Sequence, residues 1–220
     1  MSTRRPGLRE RKKQATREAL RVAALRLALE QGPENVRVDD IAEAAGVSPR
    51  TYNNYFSSRE QAIVAAVTAD RESRIAAAVT ARPAGVRLSD AVIDAVVEQF
   101  TDPGDEARDV LLMITASPAL RETYAETAGS LAGPLAEALV ERTGGMDRLA
   151  AEVLAACVGT AAKLALQSWL SAAGASAGGL MVLSGSLPDL MRAALSPLAP
   201  ALDAAAPTSP AREQSGDGQR

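Results

Sequence analysis

The sequence predicts an all-α fold of about nine helices, on three observations. Alanine, leucine, arginine and glutamate dominate the composition, and all are good helix formers. Runs of β-branched residues and alternating polar/apolar segments are scarce. Apolar residues recur instead at three- and four-residue spacing between Gly/Pro breaks. With 220 residues, 47% of them hydrophobic, the chain can bury a full core, but only 3% are aromatic. Aliphatic side chains and alanine must therefore do the packing.

Read in order, residues 1–8 are expected to form a disordered basic arm. A helix over 9–31 carries Leu20, Ala23, Ala24, Leu27 and Ala28 as one buried stripe, and Gly32-Pro33 stops it. A second helix spans Val38 to Ala45, with Asp39 and Asp40 favouring its N-terminus and Ile41, Ala44 and Ala45 facing inward. Gly46 ends it, and Val47-Ser48 leads into a third. Two short helices joined through a Gly-containing turn match a helix-turn-helix. A fourth helix starts at a Ser58/Gln61 capping box and runs to about Val79. After Arg82-Pro83-Ala84-Gly85, helices are expected over 89–100 and 105–116. A long one follows from Ser117-Pro118 to about Thr143, bent near Gly133-Pro134. The segment Asp147–Ala173 is apolar nearly all round and should be buried on more than one side. A last helix covers Leu180 to Leu195, with Pro188 bending or restarting it, and 197–220 reads as a disordered tail. The implied domains are 9–57, a three-helix DNA-binding unit, and 58–196, a larger helical body.

Charge is distributed unevenly. Residues 1–60 hold 12 Lys/Arg against 8 Asp/Glu, whereas 61–220 hold 12 against 19. A basic binding surface on an acidic body fits this asymmetry; a solubilising arm is the plainer reading. The chain has no histidine and one cysteine, Cys157. That removes His-based triads, His metal sites and intramolecular disulfides, and a reducing compartment fits. No metal site, no cofactor and no catalysis are expected. The longest uncharged run, 164–188, contains Gln167, five serines and four glycines and is too polar for a membrane span. A cytoplasmic protein is expected.

Residues 46–56, GVSPRTYNNYF, concentrate the polar chemistry. Ser48 suits an N-cap and Pro49 the first helical position. At about 100° per residue, Arg50, Thr51, Asn53 and Asn54 share one arc, and Tyr52, Tyr55 and Phe56 fill the opposite one. The polar arc offers a guanidinium fork, two amides and a hydroxyl. Arg pairs with guanine and Asn with adenine in the major groove. A solvated surface turn would show the same pattern.

Residues 9–67 decide between the two by resemblance. The stretches TREALRVAALRLALEQG and VRVDDIAEAAGVSPRTYNNYFSSREQAI resemble the DNA-binding region of the tetracycline-repressor (TetR) family. The spacing of Ile41-Ala42, Gly46-Val47-Ser48 and Tyr55-Phe56-x-Ser58-Arg59 carries the likeness. The resemblance implies an all-α homodimer that binds a palindromic operator, mostly as a repressor, with a small effector in the C-terminal body. It implies DNA contacts at Arg9, Lys12, Lys13, Arg17, Arg37, Ser48, Arg50, Thr51, Asn53, Asn54, Tyr55 and Arg59. Two positions depart from the pattern. Arg37 stands where threonine often caps the second helix, and Asn53 stands where an aromatic is usual, which favours direct base reading. Trp169 and the stretch ASPALRETY are similar to a subgroup that includes mycofactocin-type regulators, some of which sense acyl-coenzyme A esters.

Phe100, Met113, Tyr124, Cys157, Leu164 and Trp169 fall on helices that surround the effector pocket in that family, although plain core packing would also place them there. Leu187, Leu190, Met191 and Leu195 add more apolar surface than one core needs and are expected at a dimer interface. Two other functions stay open: a DNA binder without an effector, and a ligand carrier or enzyme.

Overall fold

The computed structural model describes residues 7–101, 105–127, 132–175 and 186–206. Among these residues there are eleven α-helices and no strand. Helix α1 (Leu8–Gln31) presents Leu20, Ala23, Ala24 and Ala28 to the core, the stripe its spacing predicts, with Leu27 half-buried. A 3-10 turn (Pro33–Asn35) leads to α2 (Val38–Ala44) and α3 (Pro49–Tyr52). The link between them is a Schellman turn: Gly46 N–H donates to Glu43 O at 2.9 Å and Val47 N–H to Ala42 O at 2.9 Å. Gly46 takes φ +68°, which a β-carbon would strain. This fixes the angle between the two helices. Within α2 the buried pair is Ile41 and Ala42, while Ala44 is exposed. The expectation for Ala44 fails because a seven-residue helix buries one narrow arc, and Ala44 lies outside it.

Helix α4 (Arg59–Ala81) is the axis of the molecule. It packs on α1 at one end and on α5 (Leu88–Thr101), α7 (Pro118–Thr127) and α8 (Ala132–Thr143) along its length. Arg142 on α8 closes its far end. Its guanidinium donates to Val79 O, Arg82 O, Pro83 O and Val86 O at 2.6–3.1 Å, satisfying carbonyls that the helix terminus and turn leave open. Helix α6 (Asp105–Ala116) packs on α7. The long helix expected over 117–143 is described as α7 and α8, and 128–131 between them lie outside the described residues. Gly133-Pro134 sits in the first turn of α8, where proline costs no hydrogen bond, and does not bend a helix interior.

Helix α9 (Arg148–Ala175) lies against α8 and α10 (Leu187–Leu195). It is not buried on several sides. Ala151, Ala155, Val158, Ala162, Ala165 and Leu166 form its buried arc, and Leu149, Val153, Cys157 and Leu164 form an exposed one. The stretch Arg148–Trp169 is long and apolar enough to cross a membrane, with mean hydropathy 1.7, and 39% of it is buried in the fold. Pro188 restarts the chain rather than bending it: Ser186 caps α10 through Asp189 N–H, with Pro188 in the first turn. Residues 180–185 of the expected last helix lie outside the described residues. The tail prediction fails over its first part. Helix α11 (Ala199–Ala205) buries Leu202 completely, and Asp203 accepts from Ser89 N–H and Ser89 Oγ at 2.9 Å, capping α5. Residues 207–220, and 1–6 of the expected arm, lie outside the described residues; the helix already begins at Leu8.

Candidate nucleic-acid interface

Helix α3 is one turn long. Ser48 Oγ accepts from Thr51 N–H at 3.2 Å and shares a 2.9 Å bond with Thr51 Oγ1. Beyond Tyr52 the backbone tightens. Asn53 N–H still reaches Pro49 O, but Asn54 N–H reaches only Thr51 O and Tyr55 N–H only Tyr52 O. The two asparagines therefore stand at the closing turn of the helix, where weak helix propensity costs little. Ser48, Arg50, Asn53 and Asn54 are exposed, and Thr51 and Tyr55 are half-buried.

The opposite side is anchored. Tyr52 is fully buried and donates from its hydroxyl to Ser58 O at 2.7 Å. Burial, aided by the negative charge of Glu60, pushes the Tyr52 phenol up to about 12, so it stays a donor. The ring of Phe56 lies 5.9 Å from that of Tyr52 in a tilted pair. The Arg17 guanidinium sits 5.6 Å from the Phe56 ring centre, tying α1 to the α3 turn. Arg9, Lys12, Lys13 and Arg17 are all exposed on α1, and Arg37 is exposed at the N-terminus of α2, where its side chain makes no cap. Exposed cations on α1 and exposed amides on the α3 turn suit phosphate contact and base reading respectively.

Arg59 behaves differently from the other cations. Its guanidinium donates to Glu34 O at 2.8 Å and Val36 O at 2.9 Å and pairs with Glu60. It locks the 3-10 turn onto the start of α4. Ser58 caps Gln61 N–H as the capping box predicts, but the Gln61 amide oxygen accepts from Ser57 N–H and Oγ rather than from Ser58.

In the body, Phe100 and Tyr124 are buried and both face Arg71, a residue the sequence reading passed over. Met113 and Trp169 are half-buried. Cys157 is exposed and Leu164 is 59% exposed, so neither lines an interior site. The reason is angular: both lie on the outer arc of α9, opposite Val158 and Ala162. Met191 and Leu195, expected at a dimer interface, are fully buried within the protomer, and Leu187 and Leu190 are half-buried. Spacing marks an apolar face but does not say which neighbour covers it.

Comparison with known proteins places the same segment among regulatory proteins by sequence. Residues 20–66 match the sequence family "Bacterial regulatory proteins, tetR family". The chain is 33% identical over 148 residues to the HTH-type transcriptional regulator TcmR of Streptomyces glaucescens, a match covering 63% of this chain and 65% of that protein. It is 45% identical over 51 residues to the HTH-type transcriptional regulator BetI of Rhizobium meliloti (strain 1021), covering 23% and 25%. The matches thus span less than two thirds of either curated relative. Among solved structures, the TetR family repressor AlkX from Dietzia sp. is similar at 21% identity, over 86% of this chain and 96% of that one, with a TM-score of 0.48.

Proposed function

We propose that this chain, whose residues 20–66 match the tetR family of bacterial regulatory proteins, is a DNA-binding transcriptional regulator of that family. In this reading the α3 turn enters the major groove and α1 tracks phosphate. The observation that carries it is the two-sided α3 turn. Tyr52 and Phe56 are buried beneath it, while Arg50, Asn53 and Asn54 are free above it. A merely solvated turn does not require this aromatic anchoring, whereas a base-reading element must be held rigidly. The regulator acts as a repressor at a palindromic operator, and a small, largely apolar effector in the helical body releases it.

A second copy completes the DNA-binding unit, because two half-sites spaced about one helical turn apart need two α3 turns. The surface that supports this pairing is the outer arc of α9, where Leu149, Val153 and Leu164 are 67%, 52% and 59% exposed. The test is selection of fragments from genomic DNA by the purified chain, followed by sequencing. An enriched inverted repeat supports the reading, and retention without any shared sequence contradicts it.

A further inference from the structure

Arg71 lies in the middle of α4 and is 4% exposed. Its Nη1 donates to the Tyr124 hydroxyl. Its carbon centre stacks 4.1 Å from the Phe100 ring and 5.0 Å from the Tyr124 ring. Its other two nitrogens, Nε and Nη2, are buried and have no hydrogen-bond partner among the described residues. One turn away on the same face, Thr68 Oγ1 is likewise buried without a partner. Glu72, the next residue, makes no hydrogen bond to Arg71. Its charge acts through space, first on Arg71 and then on Arg21 and Arg17.

A buried guanidinium that no carboxylate hydrogen-bonds is costly, and nature rarely leaves two of its N–H groups unpaired. The unpaired edge is a specific one. Nε–H and Nη2–H point in parallel, at the spacing of the two oxygens of a carboxylate. The aromatic rings of Phe100 and Tyr124 hold the guanidinium plane in place, and Thr68 can donate a third bond. The donors come from α4, and the rings from α5 and α7, so one ligand would tie three helices of the body together.

We infer that the helical body recognises an organic carboxylate with an apolar frame, its carboxylate held side-on by Arg71 Nε and Nη2 and by Thr68. This deepens the effector reading above and rests on it. The apolar frame follows from the composition of those helices: Ile75 on α4, Val96 on α5 and Leu120 on α7 are fully buried aliphatic residues.

Full-length protein is titrated with decanoate and naphthoate, and in parallel with their neutral methyl esters, by calorimetry and thermal shift. The acids should bind and raise Tm, and the esters should not. Arg71→Lys keeps the charge but loses the fork, and should weaken acid binding roughly tenfold to a hundredfold. Thr68→Val should weaken it less. Arg71→Met should abolish the response to acid; if it does not fold, Arg71→Lys and Thr68→Val decide. Equal binding of acids and esters overturns the carboxylate assignment but leaves an effector site standing. Undiminished acid binding by Arg71→Lys, or no acid binding at millimolar concentration, overturns the assignment outright. Selection of a DNA sequence by the ligand-free protein is scored separately, so failure of the regulator reading is recognised on its own.

Discussion

At the scale of single residues, the α3 turn separates a buried anchor, Tyr52, from the exposed Arg50, Asn53 and Asn54 within five positions. Asn53→Ala and Asn54→Ala should leave Tm nearly unchanged, because both side chains are exposed and neither makes a hydrogen bond that supports the fold. Affinity for the selected site should fall by about 1–3 kcal/mol for a residue that contacts bases, and nonspecific DNA should be much less affected. Tyr52→Ala should do the reverse. It empties a fully buried site and breaks the bond to Ser58 O, at a cost of roughly 3–5 kcal/mol measured by denaturant unfolding. The buried and exposed sides of the turn were legible from spacing alone. The partner of Arg59 was not, since nothing local reveals that a cation at the head of one helix will reach carbonyls some 25 residues earlier. Arg71 was more legible than the reading allowed. Val64, Thr68, Arg71, Ile75 and Val79 recur at helical spacing, and a charge inside an apolar stripe marks a buried ion.

Glu72 offers a prediction of a different kind. Burial pushes its carboxyl up to about 7, against the pull of Arg71, Arg21 and Arg17. The folded protein therefore holds a proton that the unfolded chain releases near the ordinary value of 4.5. By linkage, its stabilising share is complete below that value and is lost as pH rises through about 7. Glu72→Gln should remove this slope. Melting curves across that range should show wild type falling relative to the variant by a few degrees; parallel curves would show that Glu72 titrates normally.

At the scale of elements, two contacts between distant parts of the chain hold the body together. Arg142 satisfies four carbonyls at the end of α4, and Arg142→Met should cost about 2–4 kcal/mol by leaving several of them unpaired. Asp203 caps α5 from α11, so Asp203→Ala should lower stability by roughly 1 kcal/mol in the same assay. Helix α11 itself was read as tail because Pro197 and Pro200 resemble linker punctuation. Both prolines instead occupy first turns, the 3-10 turn at Ser196–Leu198 and α11 respectively, where they start helical structure. The same ambiguity attends Pro134 in the first turn of α8: a proline reads alike as a bend and as a start until packing decides. Most helix boundaries, by contrast, fell within a residue or two of the Gly, Pro and Ser signals that mark them.

At the scale of the whole molecule, α4 runs from the three N-terminal helices into the body and contacts α1, α5, α7 and α8. A ligand held at Arg71 would sit on that axis, so its binding is placed to alter how α1 to α3 are held. The outer arc of α9 is the other large-scale feature. Leu164→Glu should weaken self-association, read by light scattering, while leaving the protomer folded, because Leu164 is exposed in it. An unchanged mass would move the interface elsewhere. The central claim is that the α3 turn reads bases, and it is tested most directly on the DNA fragment that the chain itself selects. Affinities of wild type, Asn53→Ala and Asn54→Ala are compared on that fragment and on a shuffled one. The account predicts that at least one variant loses about 1–3 kcal/mol on the selected fragment and little on the shuffled one. If both bind the selected fragment as wild type does, at unchanged Tm, the turn is solvated surface and the reading element lies elsewhere.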